Sequence, residues 1–244
     1  NLADISNAAG TMRASFGTFD FVGLNAGGSL DLAGANLAGR EIVAVGDAAV
    51  ALTGDYAVTA FTGYGSLHLK AQTASGAAID VIGNFDGGVV GLASLQGYSA
   101  GGSLNLSAGE LDAQAIYGDN VDLRILGVAS LVTADAFADF AFTADTISAS
   151  ALTARGNLSL TANDTIKIQD NAAALGDMSI AATDLTAFRL TTDGGIDLQL
   201  RNSASVNFAS VGGLLSISTP TLTFEAMSAN DIQVDGGSLN GGGL

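Results

Sequence analysis

The chain has 244 residues, 24 acidic side chains against 8 basic ones and a net charge of −16, yet 48% of it is hydrophobic. That combination supplies a core, excludes an intrinsically disordered chain, and sets the molecule against nucleic acid and anionic membrane surfaces as partners. Cysteine is absent, which removes disulfides, thiolate metal sites and cysteine nucleophiles; no apolar run reaches the about 18 residues of a membrane helix, and Asn1-Leu2-Ala3-Asp4 has no signal-peptide character.

Finer composition argues against helices. Glutamate occurs only at Glu41, Glu110 and Glu225 and lysine only at Lys70 and Lys167, so the usual fillers of exposed helix faces are nearly missing. The other acidic residues are aspartate, and there are 33 glycines beside one proline, Pro220. Aspartate bonds nearby backbone and glycine tolerates positive φ, so both favour turns between short strands.

Taken in chain order, one phrase keeps returning. It reads Gly28-Ser29-Leu30-Asp31-Leu32-Ala33, then Val50-Ala51-Leu52, Gly65-Ser66-Leu67-His68-Leu69, Gly83-Asn84-Phe85-Asp86 and Gly102-Ser103-Leu104-Asn105-Leu106. It continues as Val121-Asp122-Leu123, Phe140-Ala141-Phe142, Gly156-Asn157-Leu158-Ser159-Leu160, Gly176-Asp177-Met178-Ser179-Ile180, Ile196-Asp197-Leu198, Leu215-Ser216-Ile217 and Ile232-Gln233-Val234. The first apolar residues of successive copies stand 17 to 20 positions apart. Gly237-Ser238-Leu239-Asn240 fits a different phase.

This period is too short for helical repeats and suits one turn of a β-solenoid, built from strands of about four to six residues. Alternation along a strand points Leu30 and Leu32 inward and Asp31 outward. The outward column then reads Asp31, Ala51, His68, Asp86, Asn105, Asp122, Ala141, Ser159, Ser179, Asp197, Ser216 and Gln233. A second apolar column follows about twelve residues later, at Ile42, Ile79, Ile116, Ile168, Leu190, Phe208 and Phe224. One coil buries too few side chains to offset its ordering entropy, so only a stack folds. The expected fold is all-β, a right-handed parallel β-helix of about 13 coils; at roughly 4.8 Å each these make a rod of about 60 Å. Residues 1–244 read as a single solenoid segment.

The Gly-Gly-Ser-Leu-x-Leu-x-Ala phrase at Gly101–Ala108, with its spacing, resembles the filamentous haemagglutinin-like repeats of bacterial adhesins secreted by the two-partner route. The resemblance runs from about Thr11 to Val234. It implies a right-handed parallel β-helix, export through an outer-membrane secretion pore, and a place at the bacterial cell surface or in the secreted fraction. The Asn-Pro motifs of that family's secretion domain are missing, because the one proline follows Thr219. The segment is therefore expected to come from the shaft of a longer exported polypeptide, and absent cysteine suits a chain threaded through a pore.

Candidate chemistry is sparse. His68, the one histidine, stands in the outward column between Leu67 and Leu69 and reads as an ordinary exposed residue. Asp31, Asp86, Asp122 and Asp197 share that column but are separated by coils carrying Ala, Asn or Ser, so no carboxylates stack as an acid–base pair or shared metal site needs. Asp86-Gly87-Gly88, Asp193-Gly194-Gly195 and Asp235-Gly236-Gly237 lack the nonapeptide period of calcium-binding repeats and read as turns. Phe16, Phe19 and Phe21, and then Phe137, Phe140 and Phe142, form aromatic clusters read as core, with a cap or a contact surface as the alternative. No catalytic, metal or cofactor site is expected.

The leading expectation is thus a non-enzymatic shaft of an exported surface adhesin or fibre, which presents a distal tip and mediates adhesion to a host or neighbouring-cell receptor. One alternative is a self-associating surface-layer or extracellular filament subunit, in one version dependent on calcium. A carbohydrate-active β-helix enzyme is disfavoured, because coils of 17–20 residues leave no long loops to build a cleft. Asn1–Gly10 lacks the repeat phrase and the charge of a cap, and Ser238–Leu244 carries three consecutive glycines; together they predict at least one open end and association end to end, with lateral association also open.

Overall fold

The computed structural model describes residues 4–7 and 9–243. Every element among them is a β-strand, and contacts gather the chain into two compact units, Asn1–Asp119 and Asn120–Leu244. Parts of Asn1–Gly10, including most of Asn1-Leu2-Ala3-Asp4, lie outside the described residues, as does Leu244.

The first unit contains β1 (Asp4–Asn7), β2 (Met12–Ala26), β3 (Leu30–Ala44), β4 (Ala48–Leu52), β5 (Asp55–Gly63), β6 (Leu67–Ala71), β7 (Thr73–Val81), β8 (Phe85–Ala100) and β9 (Leu104–Gly118). The second contains β10 (Val121–Ile125), β11 (Val128–Ala136), β12 (Phe140–Ala144), β13 (Thr146–Ala154), β14 (Leu158–Ala162), β15 (Thr165–Ala174), β16 (Met178–Thr192), β17 (Ile196–Val211), β18 (Leu214–Ser218), β19 (Thr221–Ser228), β20 (Asp231–Asp235) and β21 (Ser238–Gly243). Within each unit the strands pair in parallel with the strand one coil later, so each unit is a parallel β-solenoid.

A coil is either one bent strand, such as β3 or β17, or a five-residue strand followed by a longer one, such as β4 and β5. Strands of up to 16 residues replace the short ones expected from the sequence. The reason is geometric. Ladder bonds run between coils, along the axis, so a corner can bend the chain without breaking them. In β3 the burial alternates through Leu30–Leu32, lapses around Gly34–Asn36 and resumes by Ile42.

The inward column is Met12, Leu30, Ala48, Leu67, Phe85 and Leu104 in the first unit. In the second it is Val121, Phe140, Leu158, Met178, Ile196, Leu215 and Ile232. Two details correct the sequence reading. The copy at Val50-Ala51-Leu52 is two residues out of register: Ala48 is the buried inward residue and Ala49, not Ala51, pairs with Asp31 and His68. An inward alanine looks like a variable position when Leu and Val stand nearby. The repeat also begins one coil earlier, with Met12-Arg13-Ala14 against Leu30-Asp31-Leu32.

The second apolar column is really several. Ile42, Ile79 and Ile116 share one column, completed by Leu24, Phe61 and Tyr98. In the second unit Ile168 and Phe224 stand with Ala149, Ala187 and Val206, whereas Leu190 stands with Leu152, Ala172, Ala209 and Met227. Phe208 is half-buried beside Arg189 and Ala226, outside both. Register shifts after Ala149, Ile168 and Ala182 change the residue count round a corner, so a constant offset drifts from column to column.

Aromatic rings settle where glycine makes room. Phe21 is fully buried, and its ring lies where a side chain at Gly39, on the next coil, would stand; Phe16 lies likewise against Gly34. Phe16 and Phe19 are half-buried, with ring centroids 5.2 Å apart. Phe140 and Phe142 are buried as expected, but Phe137 points outward and is half exposed. Asp86-Gly87-Gly88 is likewise not a turn: it lies inside β8, where a Cβ on Gly87 would sit 2.7 Å from the Phe85 ring.

Candidate functional site

The outward column is where the sequence placed its ionisable candidates. Ladder pairing gives Asp31, Ala49, His68, Asp86 and Asn105 in the first unit. In the second it gives Asp122, Ala141, Ser159, Ser179, Asp197, Ser216 and Gln233. No two carboxylates of these columns are neighbours. Each aspartate instead meets an arginine, histidine or amide partner. Arg13 lies 3.5 Å from Asp31, His68 Nδ1 lies 3.3 Å from Asp86, and Gln199 Nε2 donates to Asp197 at 2.8 Å. Arg124 donates from Nε and Nη2 to Asp122, the shorter bond being 2.7 Å, and this raises the arginine's own pKa further. These pairs are solvated on both sides, so each is worth little to stability.

Among the described residues no three histidine, aspartate or glutamate side chains come together as a metal would require. Three surface hollows among the described residues are shallow. One of about 350 Å³ is lined by residues that include Asp4, Arg40 and Glu41, and another of about 290 Å³ by residues that include Asn163, Gln199, Leu200 and Arg201. A third of about 270 Å³ lies between Arg189, Phe208 and Met227. None brings His68 to an aspartate and a hydroxyl together.

The sequence reading missed what most of the corner residues do. On eight of the coils the residue just before the inward position is Asp47, Ser66, Asn84 and Ser103, then Asn120, Asp139, Asn157 and Asp177, whereas Gly195 and Leu214 hold that place later in the second unit. The side chains of the eight form a ladder of their own. The backbone N–H of Ser66 donates to Asp47 Oδ1 at 2.8 Å, that of Asn84 to Ser66 Oγ at 3.1 Å, and that of Ser103 to Asn84 Oδ1 at 2.9 Å. In the second unit Asp139 N donates to Asn120 Oδ1 (3.4 Å), Asn157 N to Asp139 Oδ1 (2.7 Å), Asp177 N to Asn157 Oδ1 (2.8 Å) and Gly195 N to Asp177 Oδ1 (2.8 Å). The corner turns these amides away from the backbone ladder, and the side chain of the preceding coil accepts them. That is the physical demand for Asp, Asn or Ser at this point. A second corner works similarly: Asp55 N donates to Asn36 Oδ1, and Asn163 Nδ2 and Asn202 Nδ2 donate to Asp145 and Asp184.

Two positions earlier the same corner carries exposed apolar side chains. Val45, Tyr64 and Ile82 follow one another on three successive coils and are 52%, 56% and 64% exposed. Their amides bond to the coil before, at Ala26, Ala44 and Gly63. In the second unit the equivalent positions hold Phe137, Arg155 and Leu175, with the Arg155 guanidinium 4.4 Å from the centre of the Phe137 ring.

No family model matches the chain, and neither a curated protein nor a solved structure does.

Proposed function

We propose that this chain is a structural segment of an exported bacterial surface adhesin or fibre, a non-enzymatic shaft that holds a distal tip away from the cell. One observation carries the reading: from β2 onward, no connection within either unit exceeds three residues. Enzymes need loops to wall a cleft around substrate, and coils this uniform leave only ladders and corners. The outward column supports a solvated role, since its ionisable groups are dispersed and no two carboxylates are ladder neighbours. The Gly-Gly-Ser-Leu-x-Leu-x-Ala phrase supports the filamentous haemagglutinin-like identity, and with it export through an outer-membrane pore.

The test uses the native host. Protease shaving of intact cells should release peptides of this chain, and removing one coil, for example residues 140–157, should preserve surface display while leaving receptor preference unchanged. A chain protected inside the cell, or adhesion lost on substituting His68 or Asp86 alone, would overturn the proposal. The exposed row Val45–Tyr64–Ile82 favours a second reading, a subunit that associates laterally into a filament. Light scattering at rising concentration separates the two through Tyr64→Ser, which should abolish association that this row drives and leave end-to-end stacking unchanged.

A further inference from the structure

Tyr56 and Tyr98 are the polar exceptions in the core of the first unit. Their side chains are 0% and 1% exposed, and neither hydroxyl finds a hydrogen-bond partner in the protein. An orphaned phenol so deep costs free energy that phenylalanine would avoid. Tyr56, on β5, pairs with Leu37 on the coil before, but the next two positions of its column are Ala74 and Ala93, both buried. The column is thus left short over the two coils that follow Tyr56. Tyr98, on β8, lies on the second of those coils, with its ring 5.6 Å from that of Phe85. The two phenols also sense each other: burial pushes the Tyr98 pKa up, and a charge on Tyr56 pushes it further.

We infer that Tyr56 and Tyr98 build an internal hydration site, in which ordered water joins the two hydroxyls through the space left by Ala74 and Ala93. Water is the occupant whose chemistry fits. Both hydroxyls can donate and accept, they do not bond each other, and a buried water needs two or more polar partners. The bridge ties the coil of β4 and β5 to that of β8 across the intervening one.

Water-¹⁷O magnetic relaxation dispersion on the full chain tests this directly. A slowly exchanging water component should be present and should disappear in Tyr56→Phe and equally in Tyr98→Phe. Each substitution should raise the unfolding constant by roughly tenfold, and the double variant should be no worse than the worse single one, because either change dismantles the same bridge. Three results would overturn the inference: no slow component in the parent protein; a component that survives one of the two substitutions; or two substitutions that are each neutral or stabilising. Both phenylalanines keep the ring packing, and the relaxation measurement on the parent protein stands even if a variant folds poorly.

Discussion

The two units use the same ladders but fill them differently. All four tyrosines, Tyr56, Tyr64, Tyr98 and Tyr117, lie in the first unit and none in the second, whose core relies on Phe140, Phe142, Phe224, Met178 and Met227. The corner ladders differ too. Serine alternates with Asp and Asn along the first, while the second is Asp or Asn at every link from Asn120 to Asp177. Columns are thus interchangeable in hydrophobic content so long as inward volume and corner acceptors are kept, which lets a solenoid drift in sequence while its geometry persists. Because there is no tryptophan, tyrosine fluorescence reports the first unit alone, and far-ultraviolet circular dichroism reports both.

The largest effect expected comes from charging an inward column. Leu104 in β9 is wholly buried, so Leu104→Asp should destabilise by several kcal/mol and shift the tyrosine-detected denaturation to lower urea. Leu158→Asp, its counterpart in β14, should instead shift mainly the circular dichroism that tyrosine does not see. If both variants move the tyrosine signal equally, the two units do not unfold independently.

Next come the glycines under aromatic rings. Gly39→Val places a side chain into the ring of Phe21 and should cost about 1–3 kcal/mol by overpacking. Phe21→Leu should recover part of that loss in the double variant, although it is itself destabilising. Simple additivity in urea denaturation would show that the two do not share one space.

Such pairs show what the sequence could and could not reveal. Leu30, Leu67, Leu104, Leu158 and Ile196 announce the inward column because a large apolar residue flanked by small polar ones leaves one consistent facing. Ala48 hides in the same column because alanine is compatible with either face. Spacing assigns Phe208 to an apolar column and clustering assigns Phe137 to the core, yet neither lies in an inward column. The corner ladder was invisible for another reason. Asp47, Asn84 and Asn157 look like turn formers, and only the turning of their neighbours' amides out of the backbone ladder reveals that they serve the following coil. The recurrence of Asp, Asn or Ser just before the inward residue was the available signal.

Breaking that ladder should cost less than the core does. Asn157→Ala removes the acceptor for Asp177 N and should destabilise the second unit by about 1 kcal/mol, seen by circular dichroism. Asn157→Asp keeps an acceptor and should be milder. In the first unit Ser66→Ala should cost no more than Asn157→Ala, because its bond to Asn84 N is longer, at 3.1 Å.

Alkali should separate the units by their tyrosines. Burial disfavours the phenolate, so Tyr56 and Tyr98 keep their protons in the folded chain well above the value of 10.0 at which an exposed phenol ionises. The unfolded chain loses those protons from about pH 10 upward, so it binds fewer protons than the folded one. Stability from this source is therefore complete below about pH 10 and falls as pH rises beyond it, by up to about 1.4 kcal/mol per pH unit for each tyrosine. Tyrosine-detected urea midpoints should drop above pH 10, and should drop less in the Tyr56→Phe, Tyr98→Phe double variant.

The smallest effect belongs to the outward column and tests its register most finely. Asn105→Asp sets a new carboxylate beside Asp86, its ladder neighbour, which already lies against His68. Like charges facing across strands repel by only a few tenths of a kcal/mol when exposed, and salt screens them over about 8 Å at physiological ionic strength. The variant should therefore differ from the parent by less than about 0.5 kcal/mol at low salt and not at all in 0.5 M sodium chloride. Asn105 stands one residue from Leu104, so the contrast between the two substitutions measures facing alone. A loss from Asn105→Asp that rivals Leu104→Asp and persists in salt would mean that this position points inward, and the assignment of every outward residue from Asp31 to Asn105 would fall with it.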